Sequence, residues 1–96
     1  MIVLICYDIK TDTEYGAQRL RKVASACERF GIRVQNSVFE LDLTPGDFAS
    51  LKIELTNIID TACDSVRIYR LGKNAKERTE ILGSTSRIEL HSPLIL

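Results

Sequence analysis

The sequence has no tryptophan, one histidine (His91), two prolines and three cysteines among its 96 residues. Each shortage excludes something. A single histidine near the C-terminus supports no histidine-ligated metal centre, and no general-base role is assigned to it. Cys6, Cys27 and Cys63 are odd in number, far apart and without CxxC spacing. They read as reduced core thiols of a cytoplasmic protein rather than a disulfide or zinc framework. Three tyrosines and three phenylalanines form no RNP-like run, which argues against a domain that stacks RNA bases. No glycine-rich loop points to a small-molecule regulatory module, and neither repeats nor low-complexity stretches occur. The one apolar run at the start, "MIVLICYDIK", lacks a basic lead and meets Asp8 after seven residues. It reads as a strand, so no signal peptide, transmembrane helix or other membrane association is expected.

What is present is one small domain's worth of chain with balanced charge, 13 basic against 13 acidic residues. The balance conceals segregation. Residues 10–33 hold Lys10, Arg19, Arg21, Lys22, Arg29 and Arg33 against Asp12, Glu14 and Glu28. Residues 65–78 hold Arg67, Arg70, Lys73, Lys76 and Arg78 against Glu77 alone. Residues 40–64 reverse the sign, with Glu40, Asp42, Asp47, Glu54, Asp60 and Asp64 against Lys52. Such segments can fold into one basic and one acidic side, although charge runs are often only solvated faces.

Periodicity supplies the elements. Ile2, Leu4, Cys6 and Asp8 share one face of the first strand. A carboxylate in that row calls for a cation, an arginine, backbone N–H groups or the open end of the strand. A helix follows, with Thr11 and Glu14 in capping-box spacing, Ala17, Leu20, Val23, Ala24 and Cys27 as its apolar stripe, and Gly31 as its stop. In "IRVQNSVFELDL" the apolar phase changes between Val34 and Phe39, which places a bulge or break at Gln35–Ser37. Thr44-Pro45-Gly46-Asp47 starts a second helix with a buried stripe of Phe48, Leu51, Leu55, Ile58, Ile59 and Ala62. "SVRIYRLG" alternates as a strand, and strand-like pieces follow at "TEILG" and "SRIEL". The order is βαββαβ, an α+β ferredoxin-like plan with an antiparallel sheet, an additional C-terminal strand and one bare sheet face. The expected organisation is a single domain over 1–96, with a core at 1–72 and a tail at about 73–96. The bare face and the terminal Leu94, Ile95 and Leu96 point to a homodimer in which the tail pairs with the neighbouring sheet, with a monomer whose tail covers its own sheet as the alternative.

Taken in order, "YDI", "RLRKVASACERFGIRVQNSVFEL" and "DSVRIYRLG" resemble the CRISPR-associated protein two family of small adaptation endonucleases, across residues 2 to about 72. The resemblance implies a ferredoxin-like homodimer with metal-dependent phosphodiesterase activity on RNA or DNA. It also implies a partnership with the larger CRISPR integrase subunit in acquiring spacers. Two functions stay open: a magnesium-dependent endonuclease, and an architectural subunit that bridges two integrase dimers and binds duplex DNA without cutting it.

For single residues, the resemblance makes Asp8 the catalytic metal ligand, two copies meeting across the dimer axis to hold Mg2+ or another divalent cation. One carboxylate per chain suits magnesium, which takes few protein ligands and keeps several waters. From the residues alone, a turn cap or an ion pair with a first-helix arginine is the competing role for Asp8. Tyr7 matches the family's tyrosine, as a phosphate donor or a buried ring. Arg19 and Arg21 fill the Arg-Leu-Arg motif but lie about 200° apart on a helix, so at most one faces the site. Arg33 is a phosphate-clamp candidate through its guanidinium fork. Ser37 offers a hydroxyl near the ion, and Phe39 reads as core.

Overall fold

Seven residues of alternating burial begin the chain, because strand β1 (Ile2–Asp8) lies in the middle of a sheet covered on one side only. The computed structural model describes residues 1–83. After β1 come α1 (Glu14–Glu28), β2 (Gly31–Gln35), β3 (Val38–Asp42), α2 (Pro45–Ile58) and β4 (Ser65–Arg70). The four strands are ordered β2-β3-β1-β4 and every neighbouring pair is antiparallel, the ferredoxin-like arrangement.

Both helices pack on the face that carries Val3, Ile5 and Tyr7 of β1 and Phe39 and Leu41 of β3. Val23, Ala24, Ala26 and Cys27 of α1 and Phe48, Leu51 and Leu55 of α2 complete that core. Burial pushes the Cys27 thiol pKa up to about 12, so it stays a protonated core residue. The other face holds Ile2, Leu4 and Cys6, all half-buried, with Asp8 exposed at the end of the row. Glu40 stands among them, opposite Leu4 on one side and Ile32 on the other. Burial in that apolar setting raises the Glu40 pKa.

The break read at Gln35–Ser37 is a two-residue turn between β2 and β3, and the register shifts between Arg33 and Gln35. The second helix starts as expected: the Thr44 hydroxyl accepts from the Asp47 N–H at 3.1 Å, with Pro45 in the first turn. Five details differ from the sequence reading. Cys63 is exposed rather than a core thiol, because it lies in the turn that leads into β4. The α1 cap is Thr13 rather than Thr11, its hydroxyl accepting from the Gly16 N–H at 3.1 Å. Two threonines two residues apart can both cap, and the path of the chain from Lys10 selects the second. Gly31 is not a left-handed stop, for it opens β2, and a Cβ there would overlap the Glu40 carbonyl of β3. Ala62 lies past the end of α2 and is exposed. Residues 79–83 are irregular rather than a strand, with Leu82 95% exposed; among the described residues no strand pairs with them to complete a ladder. The expected strand at "SRIEL" and the apolar tail fall outside the described residues.

Since β2 meets β3 at Gly31 without room for a methyl group, Gly31→Ala should displace the edge strand and lower stability by about 1–3 kcal/mol. Urea denaturation at matched protein concentration measures this, and an unchanged midpoint contradicts the close approach.

Candidate functional site

The end of β1 is where the chemistry collects. Tyr7 and Asp8 are consecutive on a strand and point to opposite faces. Tyr7 enters the core: its ring stacks on Phe39 with centroids 6.2 Å apart, and its hydroxyl donates to the Asn36 carbonyl at 3.3 Å. Burial raises its pKa. This corrects the expectation of a phosphate donor, because the ring and its hydroxyl are committed on the face away from Asp8.

Asp8 lies on the open face and is exposed. It needs no compensating partner within the chain, since the strand end leaves its carboxylate in water. Neither the turn cap nor the arginine pair accounts for it, as Asp8 takes part in no side-chain hydrogen bond or ion pair among the described residues. Its cross-strand partner is Ser65 of β4, and its diagonal neighbour on the same face is Arg67, opposite Cys6. The turn at Asn36–Ser37 approaches from the other side: the Ser37 carbonyl accepts from the Tyr7 N–H at 3.0 Å, and Ser37 itself is half-buried.

The arginines sort differently from their motif. Arg19 reaches a carboxylate that sequence reading did not single out. Its Nε donates to Asp64 Oδ2 at 2.7 Å and its Nη2 to Asp64 Oδ1 at 3.4 Å. The Asp64 side chain is fully buried and also accepts from the backbone N–H groups of Lys10 at 3.0 Å and Asp60 at 2.9 Å. The Arg19 guanidinium and these amide donors hold the Asp64 carboxyl well below the usual carboxylate range. Arg21 is exposed and pairs with Glu14 at 3.3 Å. Arg33 pairs with Glu28 at 3.5 Å and lies over the Phe39 ring at 5.2 Å. That places it on the helix-covered side of an edge strand, two strands away from β1, and apart from Asp8 in the same chain. Phe39 is fully buried, a core residue.

Cations elsewhere are less committed. Lys10 and Arg29 pair with Asp12 and Glu54. Arg67, Arg70, Lys73, Lys76 and Arg78 have no carboxylate partner among the described residues; Arg67 donates to the Tyr69 hydroxyl at 3.5 Å and Arg70 lies over the Phe48 ring at 5.0 Å. The basic character of 10–33 is therefore largely neutralised locally, whereas that of 65–78 is not.

Among the described residues no group of three or more His, Cys, Asp or Glu side chains could enclose a metal ion. A lone carboxylate does not fit zinc, but it fits magnesium, which holds water and substrate oxygens at its remaining positions.

The model of the family described as CRISPR associated protein Cas2 matches residues 1–79. The chain belongs to this family. It is 53% identical over 95 residues to the CRISPR-associated endonuclease Cas2 of Halalkalibacterium halodurans, covering 99% of each chain. Its fold is similar to the crystal structure of Streptococcus pyogenes Cas2 at pH 6.5, with a TM-score of 0.78, 53% identity, and coverage of 86% of this chain and 100% of that one. It is also similar to a chain of a partial Cas6-RT-Cas1–Cas2 complex, with a TM-score of 0.66, 28% identity, and coverage of 84% and 83%. The family thus agrees with the resemblance read from the motifs. Among the described residues no helix is long and apolar enough to cross a membrane.

Folding lowers the Asp64 pKa, so the stability this carboxylate contributes is fully present above about pH 4, the ordinary value of an unfolded aspartate. It is lost as pH falls toward the lower native value. Urea denaturation of the wild type and Asp64→Asn should differ clearly at pH 7 and converge as the pH drops below about 4. A difference that stays constant with pH contradicts the pairing.

Proposed function

We propose that the chain is a homodimeric, cytoplasmic subunit of CRISPR adaptation that binds nucleic acid and the integrase subunit, and that paired Asp8 carboxylates give it magnesium-dependent phosphodiester cleavage. The observation that carries the cleavage reading is an exposed Asp8 without an ion-pair partner among the described residues, ending a row of half-buried apolar residues. A second copy packed on that face would cover Ile2, Leu4 and Cys6 and bring another Asp8 toward the first. The relative's name, an endonuclease, and the Cas1–Cas2 complex supply support for the activity and for the integrase partner.

Asp8 would hold the ion from one side and its copy from the other. The ion would supply charge neutralisation at a phosphate and a more acidic water for hydrolysis of a phosphodiester. Arg67, on the same face and diagonal to Asp8, would meet a phosphate oxygen. Ser37 sits at the adjoining turn. The cations of 65–78 would contact backbone phosphates without reading sequence. RNA and duplex DNA both offer these groups.

The architectural reading, a dimer that bridges integrase dimers and holds duplex DNA uncut, is favoured by the same cations and by the thin donor set of one carboxylate per chain.

Labelled RNA and duplex DNA, incubated with and without magnesium, separate the two. The nuclease reading expects cutting that requires magnesium and disappears in Asp8→Ala. Cutting that survives this substitution assigns it to another site, and no cutting by the wild type leaves the architectural role. Under either role, duplex affinity should persist in Asp8→Asn and fall steeply with salt. Replacing Arg67, Lys73 and Lys76 by glutamine should flatten the log–log salt dependence by up to about 0.9 for each phosphate no longer neutralised. An unchanged slope would show that these cations do not touch the backbone.

A further inference from the structure

Asp64 is a carboxylate with no exposed surface, joined to Arg19 from 45 residues away, and nothing in the cleavage reading uses it. What it touches gives it a role. Its Oδ1 accepts the Lys10 N–H at 3.0 Å, while Arg19 Nη2 donates to the Lys10 carbonyl at 3.5 Å. Both polar backbone groups of Lys10 are therefore held by the one ion pair, two residues beyond Asp8. The same carboxylate accepts from the Asp60 N–H at 2.9 Å and so fixes the loop before β4. Residue 65, immediately after it, is the cross-strand partner of Asp8. The pair thus grips both strand ends between which Asp8 stands. The first turn of α1 closes against the same point, since a Cβ on Gly16 would overlap the Lys10 carbonyl.

We propose that the pair of buried Asp64 and half-buried Arg19 is a positioning element that fixes the end of β1 and with it the Asp8 carboxylate, so that Arg19 acts through Asp64 and not on a phosphate. In its consequence for cleavage this rests on the nuclease reading above; in its consequence for the backbone it does not. A strand end fraying by one residue would move a lone carboxylate by more than a metal or phosphate contact tolerates, whereas the cations that bind a duplex would be undisturbed.

The test compares the full chain with Asp64→Asn and with Arg19→Gln by three measurements. Amide hydrogen exchange by NMR should accelerate from Asp8 to Lys10 in both variants by more than it does at Val3 and Ile5, in the same strand, whose acceleration measures the loss of global stability alone. Those two residues report any general loss of fold, and Arg19→Gln serves if Asp64→Asn does not fold. Duplex affinity and its salt slope should be unchanged. The kcat for magnesium-dependent cutting should fall by about 10²-fold with KM within about twofold. Exchange at Asp8–Lys10 that accelerates no more than at Val3 and Ile5 in a folded variant overturns the proposal. A salt slope flattened by about 0.9 in Arg19→Gln also overturns it, because Arg19 would then be a phosphate ligand. Full kcat in a variant with lowered thermal stability would reduce the pair to a stabilising interaction and overturn it as well. A wild type that cuts nothing, with the exchange pattern as expected, refutes the nuclease reading and leaves the positioning of β1 standing.

Discussion

Two helices can cover only one face of a four-stranded sheet, and most of what this chain offers follows from the face they leave open. The alternation of β1 sends Val3, Ile5 and Tyr7 into the core and Ile2, Leu4, Cys6 and Asp8 outward. A shift of one residue would bury the aspartate and expose the tyrosine. The open face remains apolar enough to raise the pKa of Glu40, yet it ends in a hydrated carboxylate. An apolar surface with a charged rim suits a second protein surface, and a strand-end carboxylate suits an ion that both surfaces can share.

Beneath that rim lies a polar joint of another kind. Asp64 is buried with four hydrogen-bond donors around it: Arg19, the Lys10 and Asp60 amides and the Cys63 thiol. A buried charge is tolerated when it is satisfied this fully, and removing one donor leaves the buried carboxylate under-satisfied. The joint draws α1, the end of β1 and the start of β4 to one point. Rigidity there is useful in proportion to how little else holds Asp8, whose own side chain has no partner among the described residues.

The sequence was legible where local rules act alone. Alternation in β1 and β4, the stripes of α1 and α2, the Thr44-Pro45 start and the phase change at Gln35–Ser37 all report contacts made within a few residues. It was less legible where tertiary geometry chooses between equals. Thr11 and Thr13 are both competent caps, and only the route out of β1 selects Thr13. Gly31 looks like a helix stop but is small because β3 lies against it. In the site, the motifs pointed to Asp8, while the fate of Arg19 depended on an aspartate 45 residues away that no spacing rule connects to it. The cations of 10–33 read as a basic patch because their carboxylate partners, Glu14, Glu28 and Glu54, are recognisable only once the helices are placed.

In the proposed cleavage, the open face brings two Asp8 carboxylates together around one ion. Crystals of the protein grown with manganese, a divalent substitute visible by its anomalous scattering, test it most directly. A single anomalous peak is expected on or near a two-fold axis, flanked by Asp8 and the Asp8 of a second copy packed on the same face. Two Asp8 residues on opposite sides of the dimer, with no peak between them, would contradict it.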